Sequence, residues 1–311
     1  MLKIRFIPDN TSYDFVGRRW IAYTVTGLLF VISAISLVMQ GLNLGIDFQG
    51  GILFEVHTPP TVDIGQVRST LGGLHIGEVQ VQQVGAEKEL MIRVHRPDDS
   101  EGTQQAVVNK IKAALGEGYE YRRVELVGPK VGSELLRDGI IASALAIICI
   151  AAYVAFRFEW QFGVAAVVAT FHDVAVTVGL FSVLQLDFDL TAVAALLTLA
   201  GYSINDTIVV FDRVRETLRK NKTADLAAVI NLSINQTLSR TVLTVSTVAL
   251  AVLALLFFGG GTLRNFSVAM TWGIVVGTYS SIFVAAALLM HMPPISSALS
   301  GAPVPAPGPQ E

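Results

Sequence analysis

Six stretches of this sequence are apolar over about 20 residues each, the length that carries an α-helix across roughly 30 Å of hydrocarbon. They are Trp20–Gln40, Gly139–Phe156, Phe162–Leu184, Leu190–Phe211, Thr241–Phe258 and Phe266–Met290. In lipid a segment must satisfy its own backbone N–H and C=O groups, so each stretch is expected to be helical. The second and fifth are short and should extend by about a turn at their ends. Composition agrees: only 15% of residues are charged, against about 25% in soluble domains. The first run is too long for a signal-peptide core and no small-residue cleavage pattern closes it, so it reads as a retained span. The single cysteine, Cys149, rules out a disulfide framework and is expected to be a buried bystander.

The short connections give the orientation. Lys3, Arg5, Arg18 and Arg19 lie in the tail 1–19, Arg157 in a tight turn, and Arg213, Arg215, Arg219, Lys220, Lys222 and Arg240 in the segment 212–240, read as a loop. The opposite short loops, 185–189 and 259–265, hold only Arg264. The positive-inside rule therefore expects both termini in the cytoplasm. Residues 291–311, rich in proline and alanine, read as a disordered cytoplasmic tail.

Between the first and second spans lies a long segment, 41–138, expected outside the membrane. Ile52–Thr58, Glu78–Val84, Glu89–Arg96 and Glu120–Val127 alternate polar and apolar residues as strands do, with a turn at Gly85-Ala86 and a stop at Pro59-Pro60. Asp63 is placed to cap a helix through Leu71. Ser100–Gly116 puts Val107, Val108, Ile111, Ala114 and Leu115 on one helical face. The order is βαββαβ, a ferredoxin-like α+β domain. Its 10 basic and 14 acidic residues offer no stripe suited to nucleic acid.

Asp206 stands about seven residues before Arg213, or roughly 10 Å inside that end of the helix. An acid there costs about 2.5–3.5 kcal/mol on insertion scales, and such residues usually mark ion or proton paths. Burial favours its neutral form and a nearby cation favours the carboxylate, and a proton carrier needs both influences in alternation. The plain alternative is a structural hydrogen bond. Tyr202, Ser203 and Asn205 crowd polar groups around it. Arg240 is a candidate cation, with Thr244 and Thr247 continuing a polar stripe along the same helix; the alternative is that Arg240 snorkels to headgroups. His172-Asp173 is a second buried pair, open to a proton-feeding role or to bonding with the second helix or a partner subunit. Gly273, Gly277 and Ser280/Ser281 read as a small-residue packing seam. Gly41–Gly51, with Gly45, Gly50 and Gly51, reads as a bent approach to the outer domain. There is no Walker loop, H-E-x-x-H, G-x-S-x-G or intramembrane Ser/Lys pair, so no enzyme activity, cofactor or metal is expected.

Taken together, GLNLGIDFQGG at Gly41–Gly51, RFEWQF at Arg157–Phe162, His172-Asp173, AALLTLAGYSINDTIVVFDRVRE at Ala194–Glu216, SRTVLT at Ser239–Thr244 and VGTYSSIF at Val276–Phe283 resemble the SecF family of bacterial protein-export subunits. The sister family SecD shares the architecture but has a much larger outer region. The resemblance implies a heterodimer with SecD, built like the resistance–nodulation–division exporters, acting with the SecYEG channel and YajC. It implies use of the proton-motive force across the inner membrane to pull an exported unfolded polypeptide outward. The family's proton-path acid and arginine fall on Asp206 and Arg240, with Asn205, Ser203 and Thr244 beside them; His172 and Asp173 are candidates for a secondary relay, a role left open. Gly45, Asp47, Gly50, Gly51, Gly273 and Gly277 fall on structural motif positions. Gln49 departs from the family, where threonine or serine is commoner. Two rival readings are a non-transporting scaffold for SecD or the channel, and a proton-driven small-molecule efflux subunit.

Overall fold

The computed structural model describes residues 8, 11–59, 62–83, 89–95, 101–220 and 225–293. Lys3, Arg5, Lys222, the turn at Gly85-Ala86, Val84, Arg96, Ser100, and the tail beyond Pro293 lie outside the described residues. In chain order the elements are α1 (Arg19–Met39), β1 (Asn43–Leu44), α2 (Ile46–Gln49), β2 (Gly51–His57), α3 (Ile64–Gly72), β3 (Glu78–Gln83), β4 (Glu89–His95), α4 (Glu101–Leu115) and β5 (Glu120–Val127). Then come α5 (Pro129–Arg157), α6 (Trp160–Leu184), β6 (Asp187–Phe188), α7 (Leu190–Lys220), α8 (Leu226–Phe258) and α9 (Gly260–Ser280). The last helix continues through a π-helical turn, Ser281–Ala285.

Six helices, α1 and α5 to α9, are long and apolar enough to cross a membrane, and they make this a helical membrane protein. Half or more of the most apolar stretch of α6, of α7 and of the last span is buried inside the bundle, whereas the apolar stretches of α1, α5 and α8 are mostly turned outward. Without a hydrophobic drive between helices in lipid, small residues set the close approaches. A Cβ on Gly179 of α6 would stand 2.9 Å from the Ser33 Cα of α1, and one turn on Ser36 and Ser182 meet hydroxyl to hydroxyl at 2.8 Å. Gly273 of α9 takes the Leu199 side chain of α7.

The helices outrun the apolar runs. The segment 212–240 is not a loop: α7 continues to Lys220 and α8 starts at Leu226. Val214, Leu218, Val229, Ile230 and Ile234 of this hairpin are buried in one cluster with Phe158, Phe162 and Phe211. Charged residues on its outer face break the uniform apolar signal and leave only amphipathic periodicity. For the same reason α5 begins at Pro129, a residue pre-set for a first helical turn, and α9 at Gly260. Cys149 is exposed on α5, not buried, because that helix is peripheral.

The extramembrane domain is a four-stranded antiparallel sheet ordered β3-β4-β2-β5. With α3 and α4 between the strands in sequence, this is the ferredoxin-like βαββαβ arrangement. Asp63 caps α3 by accepting from Gly65 N at 2.8 Å. Alternate residues Ile52, Phe54 and Val56 of β2, with Leu90, Ile92 and Val94 of β4, meet Val67 and Leu71 of α3 and Val107, Val108 and Ile111 of α4 in one core.

The glycine-rich segment joins domain to bundle. β1 pairs in parallel with β6, Asn43 opposite Asp187 and Leu44 opposite Phe188, and Gly45 N donates to Phe188 O at 2.8 Å. Gly50 and Gly51 have φ of 75° and 133°, and a Cβ on them would lie 2.8 Å from Pro129 Cα and 2.6 Å from Val94 O. Only glycine meets both demands.

Candidate functional site

One face of α7 looks into the bundle, with Leu199, Ser203, Asp206, Val210 and Val214 all buried at helical spacing. Asp206 is 3% exposed, and its Oδ2 finds no hydrogen-bond donor among the described residues. The Tyr202 hydroxyl, one turn earlier, is likewise buried without a partner. Its neighbours along the helix differ in exposure. Thr207 is buried beside Asp206, whereas Asn205, about 100° round the helix, is exposed. Arg240 of α8 is exposed, and no ion pair within 4 Å joins it to Asp206. Thr244 Oγ1 donates to Arg240 O at 3.0 Å and Thr247 Oγ1 to Thr244 O at 2.8 Å, so both hydroxyls are spent along their own helix.

Asp173 forms a second centre, fully buried on α6. Its Oδ2 accepts from Ser203 Oγ of α7 at 2.5 Å and from Ser280 Oγ of α9 at 2.6 Å. Its Oδ1 meets His172 Nδ1 at 2.9 Å, while His172 Nε2 is buried without a partner. The pair therefore bonds to α7 and α9 rather than to the second spanning helix, α5. Ser203 serves Asp173, not Asp206. Gly277 makes room: a Cβ there would sit 3.4 Å from Ser203 Cβ and 3.6 Å from Asp173 Oδ2. The π turn adds Ser281, whose Oγ lies 3.0 Å from Thr207 Oγ1 and donates to Gly277 O at 2.9 Å. Two polar groups were thus missed from sequence. Ser280 and Ser281 read as packing residues and Thr207 attracted no notice, because a lone hydroxyl in an apolar run carries no signal of its acceptor.

A third polar group lies where the domain meets the bundle. Asp47 of α2 reaches across to accept from Leu190 N at 2.9 Å, capping α7 from a distant part of the chain. Asp189 accepts from Ala192 N at 2.8 Å and from Asn265 Nδ2 at 2.9 Å. Arg93 of β4 forms an ion pair with Asp187, whose other oxygen takes Asn43 Nδ2 at 2.8 Å. Burial pushes the Arg93 guanidinium below its usual pKa, with the Asp189 charge opposing that shift. Arg123 of β5 donates to Thr262 Oγ1 of α9 at 2.7 Å. Asp47, Arg93, Arg123, Asp187, Asp189 and Thr262 line a cleft of about 60 Å³.

Three comparisons bear on the arrangement. Residues 107–293 match the family model for protein export membrane protein SecD/SecF, C-terminal, and residues 35–61 match the SecD/SecF GG motif. The protein translocase subunit SecF of Rickettsia bellii is 44% identical over 290 residues, covering 92% of this chain and 95% of the relative. That of Rhodobacter capsulatus is 42% identical over 305 residues, covering 93% and 92%. Among solved structures, SecDF of Thermus thermophilus superposes with a TM-score of 0.84 at 38% identity, over 92% of this chain and 39% of the SecDF chain. A SecDF structure in a super-membrane-facing form gives 0.66 at 38% identity, over 91% and 39%. This chain thus spans well under half of those SecDF polypeptides.

Proposed function

Because this chain belongs to the SecD/SecF family of protein-export membrane proteins, we propose that it is a SecF subunit that works with SecD. In this reading the pair uses the proton-motive force to drive late steps of protein export. The observation that carries the reading is Asp206, 3% exposed among apolar helices with an oxygen that no group among the described residues satisfies. A carboxylate so placed is stable when neutral or when a charge or donor compensates it. The flank beside it supports the second part. Asn205, Arg240 and Thr247 are exposed along α7 and α8, where lipid penalises them, and a helical partner laid over that flank would cover them. SecD is that partner in this proposal, with the SecYEG channel, YajC and the exported polypeptide as further contacts.

Orientation follows from Arg18, Arg19, Arg157, Arg213, Arg215, Arg219 and Lys220, which gather at the bundle end away from the domain. That end faces the cytoplasm with both termini, and the domain faces the periplasm, across the bacterial inner membrane. A proton from the periplasmic side binds the Asp206 carboxylate and removes its attraction for Arg240. Helices α7 and α8 then shift. The movement reaches the domain because Asp47, from the domain's base, caps the start of α7, the helix that carries Asp206. The domain turns against the emerging polypeptide, and release of the proton to the cytoplasm restores the charge. The coupling ion is the proton, and no other cofactor is invoked.

Asp206→Asn removes the titrating group at nearly constant volume. In vesicles carrying the SecD–SecF pair, the variant should insert normally and lose both proton flux and proton-dependent export. Normal export by that variant would sink the proposal. Equal flux with aspartate and asparagine would favour the scaffold reading.

A further inference from the structure

At the bundle end away from the domain, a stretch of the N-terminal segment without regular secondary structure lies across α8. Asn235 reads both backbone groups of one residue: its Oδ1 accepts from Tyr13 N at 3.0 Å and its Nδ2 donates to Tyr13 O at 2.9 Å. One turn earlier on the same face, Asn231 Oδ1 accepts from Phe15 N at 2.9 Å and Val16 N at 3.0 Å, while its Nδ2 donates to Asp14 Oδ1 at 2.8 Å. Asp14 in turn takes Gly17 N at 2.8 Å. Two asparagines at i and i+4 thus clamp a backbone segment more than 200 residues away in sequence. The clamped residues reach inward. Val16 is buried beside Phe158, Phe211 and Leu289. The Phe15 ring meets Phe283 edge-on at 5.6 Å, and Phe283 stacks on Tyr279 at 5.4 Å.

Phe283 is the middle residue of the π turn Ser281–Ala285. A π turn holds one extra residue, and returning it to α geometry would rotate everything beyond it by about 100°. Ala285, the last residue of the turn, and Ala286 and Leu289 beyond it are buried in the core. At the turn's start, Ser281 bonds to Thr207 next to Asp206, and Ser280 holds Asp173. The register of this turn relative to the core therefore bears on how Ser280 meets Asp173 and Ser281 meets Thr207.

We propose that Tyr13–Val16 is a strap, clamped by Asn231 and Asn235, that holds the π turn in register through Phe15 on Phe283 and so positions Ser280 and Ser281 at the carboxylate site. Asn231, Asn235 and Phe15 are positioning residues, because they act on that site only through the turn. The structural half of this statement stands apart from proton coupling, and the functional half rests on the reading given above.

Backbone hydrogen exchange in the assembled SecD–SecF pair tests both halves. In Asn231→Ala/Asn235→Ala, amides of 11–18 and of 279–289 should exchange about tenfold faster or more, with 190–200 unchanged. In Phe15→Ala the clamp stays, so 11–18 should remain slow while 279–289 speeds up. Unchanged exchange at 279–289 in both variants overturns the strap, whatever Asp206→Asn does to export. Both variants should also cut proton-dependent export several-fold with Asp206 intact. Faster exchange at 279–289 with export undiminished would overturn the positioning role, while loss of export in Asp206→Asn would still uphold proton coupling.

Discussion

At the scale of single residues, Asp173 joins three helices. Its carboxylate accepts from Ser203 on α7 and Ser280 on α9 while sitting on α6. Removing it strands the buried Ser203 hydroxyl and leaves Ser280 only the Gly277 carbonyl at 3.1 Å, and an unsatisfied buried donor costs about 1–3 kcal/mol. Asp173→Ala should therefore lower the thermal inactivation midpoint of the detergent-purified protein by several degrees. Asp173→Asn, which keeps one acceptor oxygen, should lower it less. An unshifted midpoint in the alanine variant would show that the cluster is not structural. Asp206 was legible in the sequence because an acid in an apolar run is costly wherever its side chain points. The partners of Asp173 were not legible, since nothing near Ser203 or Ser280 marks either as a donor to a helix 30 or 107 residues away.

At the scale of elements, the glycine-rich segment shows how backbone geometry fixes a junction. Gly51 has φ of 133° and would put a Cβ 2.6 Å from Val94 O of β4. Gly116, which follows α4, also has positive φ, 73°, but its Cβ would meet nothing within 4 Å. Gly116→Ala should cost only the left-handed strain, roughly 1–2 kcal/mol. Gly51→Ala must also push the β4 backbone aside. In limited proteolysis of the whole protein, the extramembrane domain should be cut much faster in Gly51→Ala than in Gly116→Ala. Equal rates would mean that the close approach to Val94 does not matter. The sequence signalled an unusual backbone here through its glycines. The parallel pairing of Asn43–Leu44 with Asp187–Phe188 stayed hidden, because two-residue strands leave no periodic trace.

At the scale of the whole molecule, the domain rests on the bundle through a few polar contacts, of which Arg93 with Asp187 is the most enclosed, their side chains 12% and 9% exposed. Breaking a pair at that depth by removing one partner costs on the order of 3 kcal/mol, because the remaining charge is left without a counterpart. Arg93→Asp should loosen the domain and raise its protease sensitivity, and the swap Arg93→Asp/Asp187→Arg should restore resistance. A swap no better than the single change would rule out charge pairing as the cause. The sequence alone determined six spanning helices and a βαββαβ domain, because run length and alternation are local, periodic properties set by solvent on each face. It misjudged 212–240 as a loop, because that hairpin buries a narrow stripe under a charged surface. Only the tertiary structure decided which polar groups meet: Asp173 with two serines, Arg93 with Asp187, and Asn231 and Asn235 with a strap up to 222 residues away. Hydrogen bonds and ion pairs need particular atoms a few ångströms apart, and that proximity is created by the packing of helices whose sequences carry no record of one another.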